Sequence, residues 1–244
     1  MDDEIKQRVF QQVRDFWIIP EIEKRKNLNR LPNDFKLRGV QIIFSLDRGW
    51  NKVRLNEEVK AIARSKINRS IKKGETVYEN DIDNIEKIEL TDDDKNCAHI
   101  TLLLFKNSWI VSFDFRYNKN RVKEHIEASK EFYESAKDNL EKSRLRSFFE
   151  CTFVSAELSA KAVLLTLPDK NILYGKNHED RIKQFKNWTE LGNAPKEHYN
   201  ILTKLKSLRP SARYLCSTEF KKENQSDIIK ILEEMIKFAE KNIE

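Results

Sequence analysis

Glycine and proline are scarce, with five of each in 244 residues. That is too few for a loop-rich barrel or a low-complexity chain. Cysteine is scarcer still. Cys97, Cys151 and Cys216 are odd in number and share no short spacing, which excludes a disulfide framework and a cysteine zinc site and implies a reducing compartment. No apolar run approaches the roughly 20 residues that cross a bilayer, and the longest, near 160–167, is broken by Lys161. The opening Met-Asp-Asp-Glu has no apolar signal core, so a cytoplasmic protein without a membrane partner is expected. A strong excess of one charge is also missing: 46 Lys and Arg against 40 Asp and Glu leave +6. This balance permits contact with nucleic acid but does not require it.

What is present is a globular composition, 39% hydrophobic, long enough for two domains with separate cores. Ile5, Val9, Val13 and Phe16 recur at helical spacing behind Asp2 and Asp3, predicting a helix that ends at Pro20. Val40 to Leu46 reads as a strand, followed by a turn over 47–51 and a second strand near Val53 to Leu55. Asn56 with Glu57 and Glu58 predicts a capped helix to about Ile71, with Val59, Ile62, Ala63 and Ile67 facing inward. A strand near Ile85 to Leu90, an acidic loop at Asp92 to Asp94 and a hairpin at 100–116 complete an α+β half with a mostly antiparallel sheet. In that hairpin Trp109, Val111, Phe113 and Phe115 alternate with polar or smaller residues. Beyond Asn120 the period changes to about 3.6. Five helices are expected, over about 122–140, 144–167, 179–191, 195–208 and 227–243, with Pro168 stopping the second. The expected domains are thus residues 1–120 and 121–244.

Three motifs stand out in the helical half. They are Ala156-Glu157-Leu158-Ser159-Ala160-Lys161-Ala162 in the second helix, Asn177-His178-Glu179-Asp180-Arg181-Ile182 opening the third, and Ala212-Arg213-Tyr214 before the last. In this order and five-helix setting, residues 121–244 resemble the HEPN family, the nucleotide-binding domain of higher eukaryotes and prokaryotes. The resemblance implies a helical bundle that binds nucleotide or RNA and commonly forms a homodimer. Settings such as stress response, toxin–antitoxin pairs or phage defence follow from the family, as does a nucleotidyltransferase or other partner protein. Ribonuclease members place a histidine four to six residues after an arginine. Here Arg209 has Tyr214 at the fifth position and no histidine follows. A tyrosine with a pKa near 10 is a poor base at neutral pH, so a binding domain is expected ahead of a metal-independent ribonuclease.

The residues themselves leave two readings at each motif. Glu157 and Lys161 are spaced for an i,i+4 ion pair, which either fixes packing or holds a polar ligand. His178 reads as a cap or packing residue, or as part of a ligand site. Arg209, Arg213 and Tyr214 combine a phosphate-binding fork with an aromatic ring, or else lock the turn into the last helix. Placed on a helix, Lys66, Arg69 and Lys73 share a basic face, a nucleic-acid patch or a solvated surface. Asp92 to Asp94, Asp81 and Asp83 lack calcium-loop spacing, and Glu86 with Asp114 lacks a metal-nuclease order, so no metal or cofactor is implied. No glycine phosphate loop, serine elbow or nucleotidyltransferase motif is visible in the N-terminal half. The function classes left open are a nucleotide- or RNA-binding module, a ribonuclease with an atypical site, and a dimerisation protein.

Overall fold

The computed structural model describes residues 8, 10–46, 51–175, 177–214 and 223–243 and divides into two units, Met1–Phe115 and Arg116–Glu244. Asp2, Asp3, Ile5 and Val9, the turn residues 47–50, and Cys216 lie outside the described residues. In the first unit the N-terminal helix passes Pro20 instead of ending there. A π-turn at Arg14–Ile18 leads into α1 (Ile19–Asn27), and the Ile19 N–H reaches back to the Arg14 carbonyl. The wider turn sets Pro20 in the first turn of α1, the part of a helix where proline is best tolerated.

The strands are β1 (Gly39–Phe44), β2 (Asn51–Leu55), β3 (Ala61–Ile67), β4 (Ile82–Leu90), β5 (Ala98–Phe105) and β6 (Ser108–Asp114). They form an antiparallel sheet in the order β2-β1-β5-β6 and a separate β3-β4 hairpin. Val40, Ile42, Leu55, Ile100 and Leu102 line one sheet face and pack with Val13 and Ile18 of the N-terminal helix. The opposite face buries Gln41, Arg54, His99 and Thr101. These polar groups answer one another: Arg54 Nη1 donates to Gln41 Oε1 at 2.8 Å, and the Thr101 hydroxyl meets His99 Nδ1 at 2.9 Å.

The helix expected over 56–71 is not formed. Asn56 adopts a left-handed φ of 48° and opens a 3-10 turn, Asn56–Glu58. Its side-chain oxygen accepts from Arg38 N at 2.7 Å and Gly39 N at 3.1 Å, so the residue closes a turn rather than capping a helix. Ala61–Ile67 then pairs with Ile82–Leu90, and the cross-strand ladder satisfies the backbone that a helix would have satisfied internally. Asp92–Asp94 is likewise a 3-10 turn, with Asp92 and Asp93 exposed and only Asp94 buried. Asp94 is buried against Arg54, with Oδ2 2.6 Å from Nη2.

In the second unit the period of 3.6 produces α2 (Lys119–Glu141), α3 (Leu145–Leu165), α5 (His178–Glu190), α6 (Lys196–Tyr214) and α7 (Gln225–Lys241). A short α4 (Lys170–Tyr174), which periodicity did not suggest, follows Pro168. The apolar α3 runs through the middle, burying Phe148, Phe149, Phe153, Val163 and Leu164 against the other helices. Asn177 and Asn224 accept backbone N–H bonds as N-caps of α5 and α7. Helix α6 continues six residues past its expected end, through Pro210. Leu208 and Ala212 are buried in the core, and Arg146 of α3 donates to the carbonyls of Ser211 at 3.0 Å and Ala212 at 2.8 Å. Burial and this outside donor offset the bond the proline removes. The whole chain is therefore α+β, with an antiparallel N-terminal sheet and a helical C-terminal bundle. Among the described residues no helix is long and apolar enough to cross a membrane.

Candidate functional site

Arg146, Glu150, Phe153 and Glu157 recur at steps of four, three and four along α3, so they share one face of that helix. Two neighbouring helices bring their polar residues to this stripe. From α6, Arg209 Nε lies 3.4 Å from Glu150 Oε2, and Arg213 Nη2 lies 2.8 Å from the same oxygen. The Arg209 guanidinium also lies over the Phe153 ring, 4.7 Å from its centroid, a cation–π contact. From α5, His178 Nδ1 bonds to Glu157 Oε1, and Arg181 Nη1 donates to that same oxygen at 2.5 Å. The His178 ring stands 6.4 Å from the Phe153 ring, centroid to centroid. Phe153 thus has Arg209 and His178 as neighbours, and joins two motifs that lie apart in the sequence.

The expected Glu157–Lys161 ion pair is replaced. Glu157 is 9% exposed and spends its carboxylate on α5, and no ion pair joins it to Lys161 among the described residues. Burial and then the nearby Arg181 push the Lys161 amine below its ordinary value, with Glu157 opposing. Nor do Arg209, Arg213 and Tyr214 lie in a turn before the last helix. They occupy the final turns of α6, and their roles differ. Arg209 is 25% exposed and held between Glu150 and Phe153, whereas the Arg213 side chain is 46% exposed and Tyr214 is 67% exposed. The bond to Tyr214, and then the Glu150 charge, raise the Arg213 guanidinium above its ordinary value. Lys206 of α6 reaches Glu179 of α5.

The third predicted cluster comes apart. Lys66 sits in β3, paired with Glu86 at 3.6 Å. Arg69 follows the strand, and its guanidinium is taken by Asp81 at 2.7 Å and Glu75 at 2.6 Å. Lys73 lies in the turn before Gly74. A shared face required a helix, and the hairpin removes it. Among the described residues no group of His, Cys, Asp and Glu is arranged to hold a metal ion.

Arg146, Glu150, Phe153 and Arg181 were not anticipated as parts of this site. The signal was there for α3: charged residues at one-face spacing on an otherwise apolar helix have to meet partners from other helices. Which helices supply those partners is not written in the spacing.

Residues 122–242 match the family model of the HEPN domain, and the N-terminal region matches no family model. No curated protein matches the chain. HEPN domains are generally linked to RNA binding, nuclease activity and toxin–antitoxin roles, and they often dimerise. With the motif order, the six described helices and the family match in agreement, the C-terminal half of this chain belongs to the HEPN domain family.

Proposed function

We propose that this protein binds RNA or a nucleotide through the end of α6, where Arg213 and Tyr214 present a cation and an aromatic ring to solvent above the Glu150–Arg209–Phe153 support. The observation that carries this reading is the difference in exposure. Arg209 is anchored in the support, while Arg213 keeps 46% and Tyr214 67% of its surface. A guanidinium fork suits phosphate oxygens, and a tyrosine ring suits a base, with stacking worth ~1–3 kcal/mol per base. The family setting adds homodimerisation, and a role in stress response, toxin–antitoxin function or phage defence with a nucleotidyltransferase or other protein as partner. In a test with labelled single-stranded RNA, Tyr214→Ala and Arg213→Ala each weaken binding about tenfold, in line with the loss of one stacked base or one charged contact. Equal affinity of both variants and the parent protein refutes the reading. Sedimentation at increasing concentration reads the dimer.

A second reading has its own observation. His178, bonded through Nδ1 to Glu157, stands beside the Phe153 ring that also carries Arg209. A carboxylate on Nδ1 fixes the imidazole tautomer and leaves Nε2 to accept a proton. In a ribonuclease built on this pair, Nε2 takes the proton of a ribose 2′-hydroxyl as its oxygen bonds to the adjacent phosphorus. The P–O5′ bond breaks and water protonates O5′, giving a 2′,3′-cyclic phosphate and a 5′-hydroxyl. Such a site supplies from α5 the base that the position after Arg209 lacks. Incubation with total RNA separates the readings. Cyclic-phosphate ends that vanish in His178→Ala while binding persists favour the enzyme, and intact RNA in both favours the binding module.

A further inference from the structure

A groove of about 560 Å³ lies between α1 and the outer edge of β2 in the first unit, and five cations line it: Lys24, Arg25, Lys52, Arg54 and Lys60. Its lining carboxylates are Glu21 and Glu58, and both are spent on Arg25. Arg25 Nε lies 2.7 Å from Glu21 Oε1, Nη1 lies 2.9 Å from each Glu58 oxygen, and Nη2 donates to the Val53 carbonyl at 2.9 Å. Arg54 is answered from behind the wall by Asp94 at 2.6 Å. That leaves the lysines. Lys24 has only a 3.5 Å approach to Glu21, and Lys52 and Lys60 have no carboxylate partner among the described residues.

The positions of these cations are set by the fold. Gln41 lies on the buried polar face of the sheet, accepting from Arg54 Nη1 at 2.8 Å and donating to the Lys60 carbonyl at 2.9 Å. One buried amide therefore fixes both the arginine in the wall and the backbone that carries Lys60. Lys52 projects from β2, an edge strand of its sheet, and is half-buried. Lys24 and Lys60 are exposed, so their ammonium groups are open to an incoming anion, and a preformed groove loses little entropy on receiving one.

We propose that this groove is an anion site for phosphate groups, formed by Lys52, Lys60 and Lys24 around the fixed Arg25–Glu58 and Arg54–Asp94 pairs. Phosphate fits the chemistry better than carboxylate. Both planar arginine forks, the groups that match a carboxylate edge to edge, are already occupied by carboxylates. The lysines that remain act as point charges, which suit the oxygens of a phosphate from several directions. The volume lies within the usual range for small-ligand sites, ~300–1,000 Å³. The phosphate can come from an RNA backbone or from a free di- or triphosphate, and the site stands independently of the α6 reading.

The test uses the full chain and the pair variant Lys52→Ala/Lys60→Ala, with circular dichroism and a melting curve to confirm folding and Lys52→Arg/Lys60→Arg as the charge-preserving control. Pyrophosphate binding is read by calorimetry, and binding of a short single-stranded RNA by anisotropy over a salt series. At least one probe is expected to bind the parent protein, lose about tenfold or more in the alanine pair and recover in the arginine pair. For RNA, removing two contacts flattens the log–log salt dependence by about 1.4, at ~0.7 per phosphate neutralised. Loss of pyrophosphate alone assigns the site to a small phosphate ligand, and loss of RNA assigns it to a backbone. If neither probe binds the parent protein, or both bind the alanine pair undiminished, the proposal is overturned. RNA binding that fails in Arg213→Ala and is untouched in the lysine pair overturns an RNA role for the groove and leaves the α6 reading standing. The reverse pattern supports the groove and overturns the α6 reading.

Discussion

Glu157 is the residue on which two helices of the HEPN unit meet. Its carboxylate is 9% exposed and receives Arg181, itself 14% exposed, together with His178. Glu157→Ala leaves the Arg181 guanidinium partly buried without its anion. Since Arg181 keeps some contact with water, the expected loss is on the order of 2 kcal/mol, below the ~3–5 of a sealed pair. A urea midpoint reads it, and Glu157→Gln, which keeps the volume and one acceptor, loses less. In the first unit, the side-chain bond from Arg69 and then the Tyr78 N–H hold the Asp81 carboxyl down at about 2. A carboxyl depressed from 3.8 stabilises the hairpin above that ordinary value, and the contribution is lost as the pH falls through about 2. An NMR titration of Asp81 should find the low midpoint, and Arg69→Ala should return it towards 3.8. At this scale the sequence was readable in residue type more than in pairing. Glu157 was singled out, yet its spacing to Lys161 suggested a local ion pair. The pair failed because α5 offers Arg181 and His178 to the same carboxylate, and a contact from another helix is invisible in i,i+4 spacing.

At the scale of elements, α6 and α7 pack through His198, which is 3% exposed and sits edge-on to Phe238 at 5.4 Å and 75°. Its Nδ1 is buried without a hydrogen-bond partner among the described residues. Burial pushes the His198 imidazole below 6.5, with Glu234 and Glu197 pulling the other way. Burial likewise lowers His125 on α2. Both groups bind protons more weakly in the folded chain than in the unfolded one, so stability rises with pH through this range and falls as the pH drops below 6.5. Thermal melts between neutral and mildly acid pH should show this slope, and His198→Leu should reduce it; an unchanged slope removes His198 as its source. Helices of strong period were legible in the sequence, with the ends of α2, α3, α5 and α7 placed to within about three residues. Two of the departures share a cause. Residues 56–71 and the end of α6 are locally ambiguous, and tertiary partners decided each: β4 for the first, and Arg146 with the core for the second.

For the whole molecule, each unit has its own buried cluster, 27 of the described residues between Val122 and Ala239 in the second unit and a smaller one on the β1-β2-β5 face of the first. A fragment of residues 116–244 is therefore expected to fold alone, with helical circular dichroism and a cooperative melt; a non-cooperative melt counts against an independent HEPN unit. The sheet of the first unit is covered unevenly. Trp109, Val111 and Phe113 on the edge strand β6 are 40–55% exposed, as is Phe115 just beyond it. Alternation in the sequence identified that strand and its apolar side, but the pattern alone does not say whether an apolar side is covered. By itself the sequence determined the change of period near residue 120, the β1-β2 and β5-β6 hairpins, the long helices and the motifs of the HEPN family, because each depends on residues close along the chain. Only the tertiary structure decided that 61–67 is a strand, that Lys66, Arg69 and Lys73 have separate surroundings, that Phe153 joins Arg209 to His178, and that five cations share a groove. Those outcomes depend on partners far apart in sequence, where burial and hydrogen bonding between elements outweigh local propensity.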